Sequence, residues 1–239
     1  MTRAAMLAAL ALGAAAVIVP QAVAAPAPQG ARKPATRIDW SAQVRPTPEG
    51  GFVMGNPFAP VKLVEYGSLT CGHCADFAHQ AMTPLMQNYV QSGVVSFEYR
   101  NFILNGVDVA ASLVARCGGA ATFFPVADKL YATQDKWMDR VSALTDAQKA
   151  TLNALPEAER LGHLAETVGI TALAAQHGIT PAQSKRCLND QAAFDELGRM
   201  SEAASALGVQ GTPTFFLNGR NIGPHDWSSL EPILREATG

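Results

Sequence analysis

The sequence carries almost no charge imbalance. Its 18 Lys and Arg against 20 Asp and Glu leave a formal net charge of −2. That balance argues against nucleic acid or an anionic membrane surface as the main partner. No internal repeat, phosphate-binding loop, Ser/His/Asp arrangement or interleaved aromatic–basic face stands out. No His-x(3–5)-His run accompanies the cysteines, so a structural zinc site fits poorly. The apolar stretch Met6 to Val19 is short of the ~20 residues that a membrane helix needs. Cysteine is scarce as well: four residues in 239.

What is present begins with an address. Arg3 is followed by the apolar stretch and then by Ala22-Val23-Ala24, an A-x-A pattern. This predicts a secretory signal peptide over residues 1–24, with an uncleaved anchor as the alternative. The segment holds no cysteine, which excludes lipid attachment near the cut. Removing it deletes Arg3 and no acid, so −2 becomes −3. Residues 25–45 read as a linker, with Pro26, Pro28 and Pro34 among small residues. Residues 46–239 are long enough for one well-packed domain. All four cysteines lie in the exported part, where an oxidising compartment permits disulfides.

Cys71-Gly72-His73-Cys74 is the most informative feature. Val61 to Tyr66 before it reads as a buried strand, and about Ala75 to Gln91 after it as a helix. Pro84 should kink that helix. A C-x-x-C at such a junction puts its first sulfur at a helix N-terminus, where free N–H groups and the helix dipole favour a thiolate. Gly51 to Gly55 is a candidate short strand. Val94 to Arg100 is another, with Val95, Phe97 and Tyr99 on one face and Ser96, Glu98 and Arg100 on the other. Helical segments follow at 107–117, 120–133, 146–154, 157–166, 170–177, 181–188 and 191–206. Thr214 to Leu217 is a strand, Asn218-Gly219 a hairpin turn and Arg220 to Ile222 its partner. Ser228 to Glu236 closes as a helix. The expected fold is α/β, a small mixed sheet flanked by helices, with an all-helical subdomain inserted at about 105–206.

The segment Val64 to Phe77 around the motif resembles the active-site segment of DsbA-like thiol:disulfide oxidoreductases of the thioredoxin fold. Gly211-Thr212-Pro213-Thr214-Phe215-Phe216-Leu217-Asn218-Gly219 resembles their cis-proline loop and hairpin. The resemblance runs from about Gly51 to the C-terminus. It implies Cys71 as nucleophile, Cys74 as resolving cysteine and the pair as a redox-active disulfide. His73 would stabilise the Cys71 thiolate; the alternative is an exposed, uncoupled turn histidine. Gly-His between the cysteines is the dipeptide of protein disulfide isomerases, whereas bacterial DsbA commonly carries Pro-His.

Glu65 matches a buried acid of the family that exchanges a proton with Cys74. Lys62 is its candidate partner, and an outward-pointing edge position the alternative. Thr212-Pro213 would be the cis peptide bond, with Thr212 and Pro213 binding substrate; an ordinary trans turn is the other reading. Cys117 and Cys187, both in helices of the insert, match pairs that bridge this subdomain in some relatives, against two buried free thiols or a regulatory disulfide.

The expected function is a periplasmic thiol–disulfide oxidoreductase that donates the Cys71–Cys74 disulfide to thiol-containing exported proteins. The resemblance also implies a membrane redox partner for reoxidation. No metal or other cofactor is expected. Dimeric isomerases of this fold carry an N-terminal dimerisation domain, and residues 25–50 are too few for one, so a monomer is favoured. The alternatives are an isomerase or reductase of the same fold, or a metal-binding chaperone using Cys71 and Cys74.

Overall fold

The computed structural model describes residues 38–239, without the side chains of residues 157 and 158. The expected signal peptide and residues 25–37 of the expected linker lie outside the described residues. The end of that linker is structured. Trp40–Ala42 forms one 3-10 turn, capped by the Asp39 carboxylate, and Val44–Pro46 forms an edge strand, β1. Three residues with a terminal proline give too short an alternation to read as a strand from sequence.

Five more strands complete the sheet: β2 (Phe52–Gly55), β3 (Val61–Gly67), β4 (Val95–Asn101), β5 (Thr214–Leu217) and β6 (Arg220–Gly223). Their order is β1-β2-β4-β3-β5-β6. Only β3 and β4 pair in parallel; every other pair is antiparallel. The turn between β5 and β6 works because Asn218 and Gly219 both take positive φ, 49° and 81°, which a two-residue hairpin requires.

Ten helices accompany the sheet among the described residues. After β3 comes α1 (Gly72–Leu85). Pro84 does not break it. The chain continues into a π-helical turn at Met86–Val90, in which Gln91 N–H reaches Met86 O at 2.8 Å. The wider turn follows directly on the residue whose missing N–H removes an α-type bond.

The insertion lies between β4 and β5. It comprises α2 (Gly106–Arg116), α3 (Phe123–Ala132), α4 (Gln134–Ser142), α5 (Asp146–Ala154), α6 (Glu157–Thr167), α7 (Ile170–Ala175), α8 (Pro181–Leu188) and α9 (Gln191–Ala206). The chain closes with α10 (Trp227–Thr238). The sequence reading lacks α4, whose one buried residue is Trp137; a single anchor leaves no apolar period to detect.

Both sheet faces are covered, so β4, whose sequence alternates, is buried on both faces except at half-buried Arg100. On one face Leu63, Phe97, Tyr99 and Phe215 pack with Phe77 of α1, Phe123 of α3 and Leu230 of α10. On the other, Tyr66 and Phe216 pack with Ala204 of α9 and Val209. There Glu98 is buried, accepting from Arg100 at 2.7 and 3.0 Å and from Thr47 at 2.7 Å. Gly67 ends β3 where a Cβ would sit 2.6 Å from the Tyr99 ring, so only glycine lets that ring lie over the strand.

Candidate active site

β3 delivers the chain to the sheet's end, and residues 68–70 turn it into α1. Cys71 is the N-cap of α1 and its side chain makes no capping bond. Cys74, one turn later, is fully buried. Both are free thiols here. Across from them the Thr212-Pro213 bond is cis, and Cys71 Sγ–H donates to Thr212 O at 3.2 Å. The sequence therefore brings its two motifs, 141 residues apart, into one site.

The electrostatics separate the two sulfurs. The Cys71 thiol is lowered to about 5. Its largest cause is the hydrogen bond from the Cys74 thiol; desolvation opposes it, and the Thr212 side chain and the backbone N–H groups of Cys74 and His73 add to it. The Thr212 hydroxyl is itself buried without a hydrogen-bond partner. Cys74 is pushed well above the ordinary thiol range, first by burial and then by the Cys71 hydrogen bond and the nearby Glu65 charge. One sulfur is a good nucleophile and leaving group, and the other holds its proton.

His73 is exposed. Its backbone N–H is among the groups that lower the Cys71 thiol. Glu65 lies 97% out of solvent on β3. Burial, then the Cys71 charge, raises its carboxyl to about 8, and its Oε1 has no hydrogen-bond partner. It borders a small cavity of about 30 Å³ with Met82, Phe97, Tyr99, Phe124 and Tyr131. That space is enough for a water molecule.

Lys62 is not the partner of Glu65. It is exposed, and two strand residues three apart point to opposite faces of the sheet. Cys117 and Cys187 form a disulfide, with Cα atoms 5.7 Å apart, joining the end of α2 to α8. No group of three or more His, Cys, Asp or Glu positioned for a metal occurs among the described residues.

Several residues of the site were not singled out from sequence. A groove of about 490 Å³ beside the cysteines is lined by His73, Asp76, Gln80, Pro213, His225 and Asp226, among others. His225 is held by Ser229 Oγ at 3.1 Å and Ile222 O at 3.0 Å. Tyr99 and Tyr131 share a hydrogen bond of 2.8 Å beneath the active-site turn. Asp108 and Gln134 bond to the turn itself. Only Asp108 left a signal, as an acid inside the apolar run Val107 to Val114.

A family model described as thioredoxin matches residues 47–236. A putative protein-disulfide oxidoreductase of Rickettsia bellii is 28% identical over 191 residues, covering 79% of this chain and 65% of that protein. The chain spans 54–65% of the length of the rickettsial relatives it matches. Among solved structures, a protein-disulfide isomerase from Novosphingobium aromaticivorans superposes with a TM-score of 0.73 at 29% identity, covering 79% of this chain and 97% of that one. Wolbachia pipientis α-DsbA1 shares the fold, with a TM-score of 0.64 at 18% identity over 82% of this chain and 93% of that one.

Proposed function

Since the chain belongs to the thioredoxin family, we propose that it is a periplasmic thiol–disulfide oxidoreductase that donates the Cys71–Cys74 disulfide to exported proteins. The observation that carries this reading is the asymmetry of the two sulfurs. Cys71 is half-buried, lowered to about 5 and placed against the Thr212 carbonyl, while Cys74 is buried and raised. The names of the relatives support disulfide chemistry in general.

The reaction begins with the disulfide closed. A substrate thiolate attacks Cys71 Sγ, a substrate–Cys71 bond forms, and the Cys71–Cys74 bond breaks. The electron pair goes to Cys74, which takes a proton. Glu65, protonated at neutral pH because burial raises it to about 8, is a group able to supply it. A second substrate thiolate then attacks the substrate sulfur of the mixed disulfide. Cys71 leaves as a thiolate stabilised by Thr212 and the α1 N-terminus, which speeds that step. The substrate gains one disulfide and the enzyme holds two thiols. Thr212 and Pro213 form the edge on which the substrate backbone lies, beside the groove.

Location, monomeric state and reoxidation by a membrane partner belong to the same proposal. They rest on the signal-peptide pattern and the resemblance. No helix among the described residues is long and apolar enough to cross a membrane.

The isomerase reading has two specific observations behind it, the Gly72-His73 dipeptide and the name of the structural neighbour at 29% identity. Trapping tests the roles of the sulfurs. Cys74→Ser should accumulate mixed disulfides with exported proteins and Cys71→Ser should not; equal trapping by both would refute the assignment. A reduction potential near −120 mV would place the protein with strong oxidants, and one near −180 mV with isomerases.

A further inference from the structure

The turn that presents Cys71 is held almost entirely from the insertion. Tyr131 Oη donates to Ser68 O at 3.1 Å. Gln134 Nε2 donates to Leu69 O at 2.9 Å and to Cys71 O at 3.0 Å. Asn105 Nδ2 donates to Thr70 Oγ1 at 3.0 Å. Asp108 accepts the Leu69 N–H at 2.9 Å with one carboxylate oxygen and the Leu104 N–H at 3.0 Å with the other.

Asp108 is the one ionisable carboxyl in this set. It is fully buried in the first turn of α2. No ion pair among the described residues involves it. An unpaired carboxylate in that position is costly to keep, and its electric field reaches the Cys71 sulfur.

We propose that Asp108 is a positioning residue for disulfide exchange: its carboxylate ties α2 to the turn that carries Cys71 and, when ionised, makes that sulfur more basic and more nucleophilic. The inference rests on the exchange reading above and goes beyond it in assigning a role to a residue outside the two motifs. The two N–H groups bind the carboxylate form more strongly than the acid, because charge-assisted hydrogen bonds are the stronger ones. Protonation loosens the tie and removes the field.

Burial, the largest cause, raises Asp108 to about 6; the Ser68 side chain and the two N–H bonds oppose it, and the Cys71 charge adds to it. The titratable groups coupled to it are Cys71 at the start of α1 and Tyr99 on β4. Tyr99 in turn shares the fields of Cys74, Glu65 and Tyr131. All are acids, so their charges oppose one another and titrate as a coupled set.

The test is the alkylation rate of Cys71 by iodoacetamide in the reduced full chain, read by peptide mass from pH 4.5 to 7. The wild type should rise with the thiolate near pH 5 and rise again near pH 6. The second step should be about threefold for a coupling of about one pK unit, since thiolate nucleophilicity follows basicity with a slope of ~0.45. Asp108→Asn removes the charge and should abolish the second step. Gln134→Met loosens the same turn without changing charge and should keep it. A part that is structural only would lower the thermal midpoint of Asp108→Asn without changing the shape of the profile. A single step in the wild type, or a second step that persists in Asp108→Asn, overturns the proposal. If Asp108→Asn does not melt cooperatively, the wild-type and Gln134→Met profiles decide. A Cys71 thiolate that forms only above about pH 8 would overturn both this proposal and the exchange reading.

Discussion

The chain holds two cysteine pairs placed at opposite ends of helices. Cys71 caps the start of α1. Cys117 caps the end of α2, and Cys187 lies in the last turn of α8. A thiolate at a helix start is stabilised by free N–H groups, and one at a helix end faces free carbonyls and the negative end of the dipole. Exposure does not single out Cys71, since Cys71, Cys117 and Cys187 are all partly exposed. The helix end does. On the proposed reading, placement makes the first pair the acceptor of electrons and leaves the second as a clamp.

The largest expected effect is on redox potential. Cys71–Cys74 should be reduced at a potential at least ~100 mV above that of Cys117–Cys187, a gap of about 4.6 kcal/mol. A glutathione titration followed by peptide mapping would show it. Equal sensitivity of both bridges would break the comparison.

The next effect is on stability. Cys117 and Cys187 are 70 residues apart, and closing so long a loop is worth about 4 kcal/mol in the chain-entropy model. Replacing both by Ser should lower unfolding free energy by up to that amount, measured by urea melts, while leaving Cys71 alkylation within about twofold. An unchanged midpoint would mean that the clamp constrains nothing.

The smallest effect is on the pH dependence of the active pair. The Cys71 thiol lies at about 5 when folded and ~8.5 when unfolded. A depressed folded value stabilises the fold fully above ~8.5, and that stability is lost as pH falls through about 5. The nominal gain at pH 7 is ~2.7 kcal/mol, and half-exposure of the sulfur trims it to about 1–2 kcal/mol. The oxidised form has no thiolate and gains ~2 kcal/mol from its small loop. The two forms should therefore be close at pH 7, with the reduced form pulling ahead by about 1–2 kcal/mol as pH rises to 8.5. Melts of both forms at pH 5, 7 and 8.5 check this; a difference that stays flat with pH would remove the thiolate from the argument.

The two motifs and most of the elements around them were legible because each rests on local rules. An apolar strand, a helix-start C-x-x-C and Asn-Gly between strands need only neighbouring residues. The assignment of Lys62 to Glu65 failed against a rule that was equally local, the two-residue period of a strand. Nothing local announces that α9 and Val209 cover the sheet face that carries Ser96 and Glu98. Gln134 and Tyr131 were beyond reach for a different reason. Their partners lie more than 60 residues away in the active-site turn, and a polar residue on a helix gives no sign of what it will meet. The unpartnered Oε1 of Glu65 is likewise a fact about packing.

The position of the insertion has a consequence for how the protein comes into being. β3 pairs with β5 through Leu63 and Leu217, Val64 and Phe216, Glu65 and Phe215, and Tyr66 and Thr214. About 150 residues separate these partners, and closing so distant a contact is a slow folding event. During synthesis from the N-terminus, one edge of the central strand stays open until residue 217 has emerged. The Cys71–Cys74 turn emerges early, but Thr212 comes late, together with that closing strand. A partly emerged chain thus has its cysteines without Thr212, whose side chain helps lower the Cys71 thiol. Thr212 joins the site last, when the hairpin docks, and completes the surroundings of a sulfur that α1 places early.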